Sequence, residues 1–177
     1  ETHYGFIFIM GAMARVIQLY DADGKSPLTG LKHIGFGITG SLLRVPRSHA
    51  ALTDQFQANQ WADDVLLPRR DPLAVVCSVT HSLLFGIEPF RGSAESNQFY
   101  AASYAVPASI LSALVPVEWR GTVVPPGDRF FNQPVFSFSV QPDHEGSFFV
   151  DGDFFFNTPG EKLTVSLGPE LELVSHF

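Results

Sequence analysis

Five polar residues near the C-terminal end have the side-chain types that acid–base or metal chemistry requires. Asp143, His144 and Glu145 are consecutive, and Asp151 and Asp153 follow a few residues later. Carboxylates and imidazoles transfer protons near neutral pH and also ligate metals. They can cooperate only if the fold brings the two groups together. The alternative, which the sequence favours, is polar turns that cap strands and keep a sheet soluble.

No other motif predicts a cofactor or a metal. The stretch GFGITG at 35–40 matches the dinucleotide fingerprint, but Pro46 would fall in the second turn of the helix that must follow it. A strand whose glycines allow close packing explains this stretch better. The six histidines are dispersed, and DADGKS at 21–26 is not followed by the glutamate that an EF-hand needs at its twelfth position, which is Lys32.

The stretch GLKHIGFG, followed by the strand-like SLLRV, resembles the glycine-rich loop of the RAMP proteins of CRISPR effector complexes. The residues that match are Gly30, Lys32, Gly35, Phe36 and Gly37. This resemblance implies a ferredoxin-like fold and an RNA-binding subunit.

The charge distribution disfavours a nucleic-acid partner. The formal net charge is −7, and residues 130–177 contain one basic side chain, Lys162, against seven carboxylates. Affinity for nucleic acid depends on neutralising phosphates with lysine and arginine.

Composition and patterning predict a single, mainly β domain over residues 1–177. Hydrophobic residues make up 45% of the chain and charged residues 16%, as in a packed globule. Arg15 interrupts the longest apolar run before it could span a membrane. We expect an all-β or α+β fold, an antiparallel sandwich or jelly-roll-like packing of sheets with one or two short helices.

Local patterns place these elements along the chain. They predict one bent strand or two over 5–20, a helix over 48–63, a buried strand over 73–87 and a loop over 88–103. The stretch VPASILSALVPVEW at 106–119 permits a short helix that ends at Pro116. Alternation predicts strands at 135–140, 162–168 and 170–174, and Asp151-Gly152 predicts a two-residue hairpin turn.

The predicted hairpin is dense in aromatic residues, and its two strands contain Phe148, Phe149, Phe154, Phe155 and Phe156. Adjacent rings on a strand point to opposite faces. There are two possibilities: the rest of the protein covers both faces of the hairpin, or one face is an exposed apolar surface that binds a partner.

Together these features favour a non-enzymatic structural or interaction module, acting in self-assembly or as a subunit of a larger complex such as a coat or appendage, with protein partners. The first alternative is a small hydrolase or metal-dependent β-fold enzyme that uses the residues near 143–153. The second is the RAMP-like RNA-binding subunit. Nothing in the sequence indicates a cellular compartment.

Overall fold

Ten strands and two helices are found in the parts of the chain that the structure, a computed structural model, describes: residues 1–22, 54–83, 87–118 and 127–169. The elements in chain order are β1 (Ile7–Gly11), α1 (Ala12–Ala22), β2 (Ala58–Ala62), β3 (Val65–Leu66), β4 (Ala74–Ser78), β5 (Phe99–Tyr104), α2 (Ala108–Glu118), β6 (Phe130–Val135), β7 (Ser137–Pro142), β8 (Gly146–Val150), β9 (Asp153–Asn157) and β10 (Leu163–Ser166).

The strands form two antiparallel sheets packed face to face. The larger sheet has the order β6-β5-β4-β1-β8-β9, and the smaller has the order β10-β7-β2-β3. Phe8, Val75 and Phe148 of the larger sheet pack between the sheets with Phe138 and Val140 of the smaller one. The prediction of a mainly β, antiparallel sandwich is therefore confirmed.

The larger sheet is buried on both faces at its centre. Every residue of β4 is buried, and a second core on the outer face includes Ile9, Val76 and Phe149. Ala14 of α1 is buried there, and Leu111 of α2 packs against it. This two-sided burial explains why β4 is a continuous apolar run. It also encloses Cys77, where desolvation raises the pKa of the thiol and makes it unreactive.

The prediction of strand over residues 5–20 is wrong after Gly11. This glycine has a φ of +83°, and an added Cβ would lie 2.3 Å from the carbonyl oxygen of Leu73. Gly11 thus lets the chain turn tightly out of β1. Ala12 then donates a backbone hydrogen bond to the Leu73 oxygen at 2.8 Å and begins α1, whose alanine, methionine, arginine and leucine favour helix.

The predicted helix over 48–63 is wrong where the structure describes it, because β2 occupies 58–62. Alternate residues Ala58, Gln60 and Ala62 are buried, as expected for a strand. Pairing with β7 decides this conformation, and such tertiary pairing overrides local helical spacing. Asp63 and Asp64, with φ of 48° and 65°, form the turn to β3.

Other boundaries differ less. The strand predicted over 73–87 ends at Ser78, and β5 begins inside the predicted loop 88–103. The permitted helix is present as α2 and continues past Pro116 to Glu118. The Asp151-Gly152 hairpin is confirmed, with φ of 45° and 118° at its two turn residues. The predicted strand at 170–174 lies outside the described residues.

Neither helix of the described residues has the length and apolar character needed to cross a bilayer.

Candidate functional site

The structure separates the predicted acidic and histidine residues into two groups. Residues 143–145 precede β8, and Asp151 and Asp153 lie beyond its other end. Five residues of strand span roughly 17 Å. The two groups therefore do not form one site, and among the described residues there is no group of three or more His, Cys, Asp or Glu that could hold a metal ion.

The group at 143–145 has the contacts of a surface turn. The Asp143 backbone N–H donates to the carbonyl of Gln57 at 2.9 Å, and its carboxylate lies 3.4 Å from the guanidinium of Arg70. The backbone carbonyl of His144 accepts a hydrogen bond from the buried amide of Asn157 at 3.0 Å. The Asp143, His144 and Glu145 side chains are all exposed.

Asp151 and Asp153 have different roles although they flank the same turn. The Asp151 carboxylate accepts hydrogen bonds from the backbone N–H groups of Phe6 at 2.7 Å and Ile7 at 2.8 Å. Asp151 therefore fixes the start of β1 against the hairpin. The exposed Asp153 carboxylate makes no hydrogen bond or ion pair with any residue that the structure describes.

The predicted aromatic partner surface is mostly interior. Phe148 and Phe149 are buried in the two separate cores, and their rings lie 5.5 Å from Phe155 and 5.3 Å from Phe154, respectively. Phe156 is 66% exposed. Phe154 and Phe155 are half-buried, so the five rings do not form one exposed surface in the described part of the chain.

The glycine-rich residues that resemble a RAMP loop, Gly30, Lys32, Gly35, Phe36 and Gly37, lie outside the described residues. So does the whole of GFGITG at 35–40.

A cavity that sequence reasoning missed lies where β2 and the segment after β3 face β5 and the start of β6. It has a volume of about 80 Å³. Its polar lining consists of Gln60, Arg69, Ser103, Asp128 and Arg129. Leucine, proline, alanine and phenylalanine side chains complete the wall, so the cavity combines an apolar surface with a few polar groups, as ligand pockets do.

Gln60 is the most deeply buried polar side chain of this lining, at 1% exposed. Its Nε2 donates to the backbone carbonyl of Arg69 at 3.3 Å, whereas its Oε1 has no hydrogen-bond partner among the residues that the structure describes. A buried acceptor without a partner costs about 1–3 kcal/mol. The sequence did contain a signal for this site, because Gln60 is a polar residue at an inward position of β2, with Ala58 and Ala62 at the inward positions on either side. The incorrect helix prediction hid this pattern.

Comparison with known proteins identifies solved structures that share the fold of this chain. No protein-family profile matches the sequence, and no curated protein matches it significantly. A solved structure assigned as a diacylglycerol kinase from Bacillus anthracis str. Sterne matches 93% of this chain and 52% of its own, with a TM-score of 0.57 and 15% identity. A second structure with the same assignment and organism matches 93% of this chain and 51% of its own, with a TM-score of 0.54 and 13% identity.

The chain thus has the fold of a part of these kinases and spans about half of their length. This finding corrects the leading functional prediction. The expectation of a non-enzymatic, self-assembling structural module is wrong, because the proteins that share the fold are assigned as enzymes. At identities of 15% and 13%, residue patterns alone did not reveal this likeness of fold.

Proposed function

We propose that this chain is the β-sandwich part of an enzyme of the diacylglycerol kinase kind, which phosphorylates the free hydroxyl of a diacylglycerol. The observation that carries the proposal is the match of 93% of the chain to such a protein at a TM-score of 0.57. Since the chain spans about half of that protein, we assign the activity to the whole enzyme that contains it.

Phosphoryl transfer depends mainly on positioning and on neutralising charge at the transferred group, work that kinases usually share with a metal ion bound to the nucleotide. The described residues do not fit a resident metal, because no three potential ligands lie together. We therefore assign no step to a metal held by these residues.

Asp153 is the predicted site residue whose surroundings best suit a role in this reaction. Its carboxylate is exposed and unpaired within the described residues, and it begins β9 directly after a turn that Asp151 anchors to β1. A carboxylate held on a rigid element can accept a hydrogen bond from a reacting hydroxyl. We propose that Asp153 orients the lipid hydroxyl and that Asp151 is a positioning residue.

The test is transfer of labelled phosphate from ATP to diacylglycerol in detergent micelles, with the complete protein that contains this chain. We expect phosphorylated diacylglycerol, and we expect Asp153→Asn to lower the rate about 100-fold or more. Asp143→Asn is the matched control, since its carboxylate is also exposed and lies at the other end of β8; its rate should stay within about twofold.

Absence of transfer to any diacylglycerol by the folded wild-type protein would overturn the proposed function. Full activity in Asp153→Asn would overturn the role of Asp153 and leave the function standing.

The predicted protein partners remain a prediction, because the described residues offer no evidence on them.

A further inference from the structure

We propose that the cavity beside Gln60 binds a small phosphate ester that carries a free hydroxyl, with the hydroxyl inside and the phosphate at the mouth. This chemistry occurs in glycerol phosphate and in the headgroups of glycerol-based phospholipids. The inference rests on the cavity itself and does not depend on the proposed kinase activity.

The size of the cavity limits what can enter it. A cavity needs about 10–15 Å³ to hold one water molecule, and an apolar cavity that binds benzene has about 150 Å³. The volume of about 80 Å³ therefore suits a few waters or a three-carbon polyol. It is smaller than the benzene-binding cavity, so the part of the ligand that lies inside is small.

The hydrogen-bonding capacity of the cavity specifies a donor. One N–H of the Gln60 Nε2 donates to the backbone carbonyl of Arg69, whereas Oε1 accepts from no residue that the structure describes, so Oε1 is the acceptor offered to a ligand. An acceptor buried at 1% exposure is satisfied by a hydroxyl or an N–H. Ser103, also buried, adds a hydroxyl to the lining that can donate or accept.

The charges around the cavity specify an anion. The lining contains two arginines, Arg69 and Arg129, and one carboxylate residue, Asp128. Among the described residues, neither arginine side chain has a hydrogen-bond or ion-pair partner. Arg129 is exposed and Gln60 is buried, so the cationic group lies toward the solvent and the acceptor toward the interior. Guanidinium groups bind phosphate through paired, charge-assisted hydrogen bonds.

The cavity is also remote from Asp153. β6, which contributes to the cavity, and β9, which carries Asp153, are the opposite edges of the larger sheet. Five strand spacings of about 4.8 Å put roughly 24 Å between them. The two sites can therefore be disabled separately.

The experiment is isothermal titration of the full chain with sn-glycerol 3-phosphate, alongside glycerol and inorganic phosphate as half-ligands. We expect saturable binding of the ester that is at least about tenfold tighter than that of either half. Gln60→Met and Arg129→Gln should each weaken the affinity at least about fivefold. Arg70→Gln is the matched control, because Arg70 follows Arg69 but lies outside the lining; its affinity should stay within about twofold.

Sedimentation with phosphatidylglycerol vesicles, against neutral phosphatidylcholine vesicles, distinguishes a headgroup from a free ester as the source of the same chemistry. The site is supported if Arg129→Gln abolishes binding of either the free ester or the phosphatidylglycerol vesicles. No saturable binding in both arms, or equal binding by wild type and Arg129→Gln, would overturn it. Arg129 is exposed, so this variant keeps the test valid if Gln60→Met does not fold.

Discussion

The two edges of the larger sheet use polar groups in opposite ways. At the β8–β9 edge, the rings of the hairpin fill both cores, and the Asp151 carboxylate has two backbone donors. At the β6 edge, the sandwich leaves a cavity, and the Oε1 of the buried Gln60 has no hydrogen-bond partner within the described part of the chain. The first edge is closely packed and its anchoring carboxylate has partners, whereas the second edge leaves a space that we propose a ligand fills.

The largest expected effect is at the hairpin edge. Phe148→Ala removes a buried ring that packs against Phe8 and Phe155, and it should lower the free energy of unfolding by about 3–5 kcal/mol. Phe156→Ala, at a 66% exposed position, should change it by less than about 0.5 kcal/mol. Urea unfolding measures both, and equal losses would contradict the assignment of these rings to core and surface.

Next is the carboxylate that anchors the hairpin. Asp151→Ala removes the acceptor for two backbone N–H groups and places alanine at a φ of 45°, so we expect a loss of about 2–3 kcal/mol in unfolding free energy. Asp153→Ala should change the unfolding free energy by less than about 0.5 kcal/mol, since its carboxylate has no partner among the described residues. A larger loss from Asp153→Ala than from Asp151→Ala would reverse the roles given to the two residues.

Two buried amides sharpen the comparison between satisfied and unsatisfied polar groups. Asn132 accepts from the backbone N–H of Arg91 and donates to the carbonyl of Pro89, so Asn132→Leu should cost about 2–3 kcal/mol. Gln60→Met loses one weak hydrogen bond and removes an acceptor that has no partner among the described residues, so its cost should not exceed about 1 kcal/mol. If Gln60→Met were the more destabilising of the two, Gln60 would be a structural residue instead of a ligand-binding one.

The smallest expected effect is a pH dependence of stability at the turn before β10. Hydrogen bonds from the backbone and hydroxyl of Thr158 lower the pKa of Glu161. Its contribution to stability is therefore complete above the pKa of an unfolded glutamate, about 4.3, and is lost as the pH falls through the lower folded value. Glu161→Gln should flatten this part of the stability profile measured by urea unfolding. An unchanged profile would show that the exposed Glu161 carboxylate makes no measurable contribution.

Local sequence signals predicted some elements well. The hairpin was readable because Asp151-Gly152 supports the positive φ angles that a two-residue turn requires, and because β-prone runs flank it. β4 was readable because a strand buried on both faces is continuously apolar. Both signals arise from neighbouring residues.

Other elements depended on partners distant in the chain. α1 follows Gly11 because the Leu73 backbone approaches that position closely and accepts the first hydrogen bond from Ala12. β2 is a strand because β7 pairs with it, although its spacing also suited a helix. Neither contact can be inferred from the local sequence of α1 or β2, because the partner residues are distant in the chain.

The sequence by itself determined a mainly β, antiparallel chain, since strand alternation and turn chemistry are local properties. The tertiary structure decided which candidate side chains stay free. In the folded protein, Asp151 anchors the hairpin and Asp153 is exposed. Four of the five predicted surface rings are buried or half-buried, and Gln60 lies in a cavity whose lining includes two arginines. A side chain's partners depend on which strands meet in space, and that arrangement is fixed by long-range pairing that no single segment encodes.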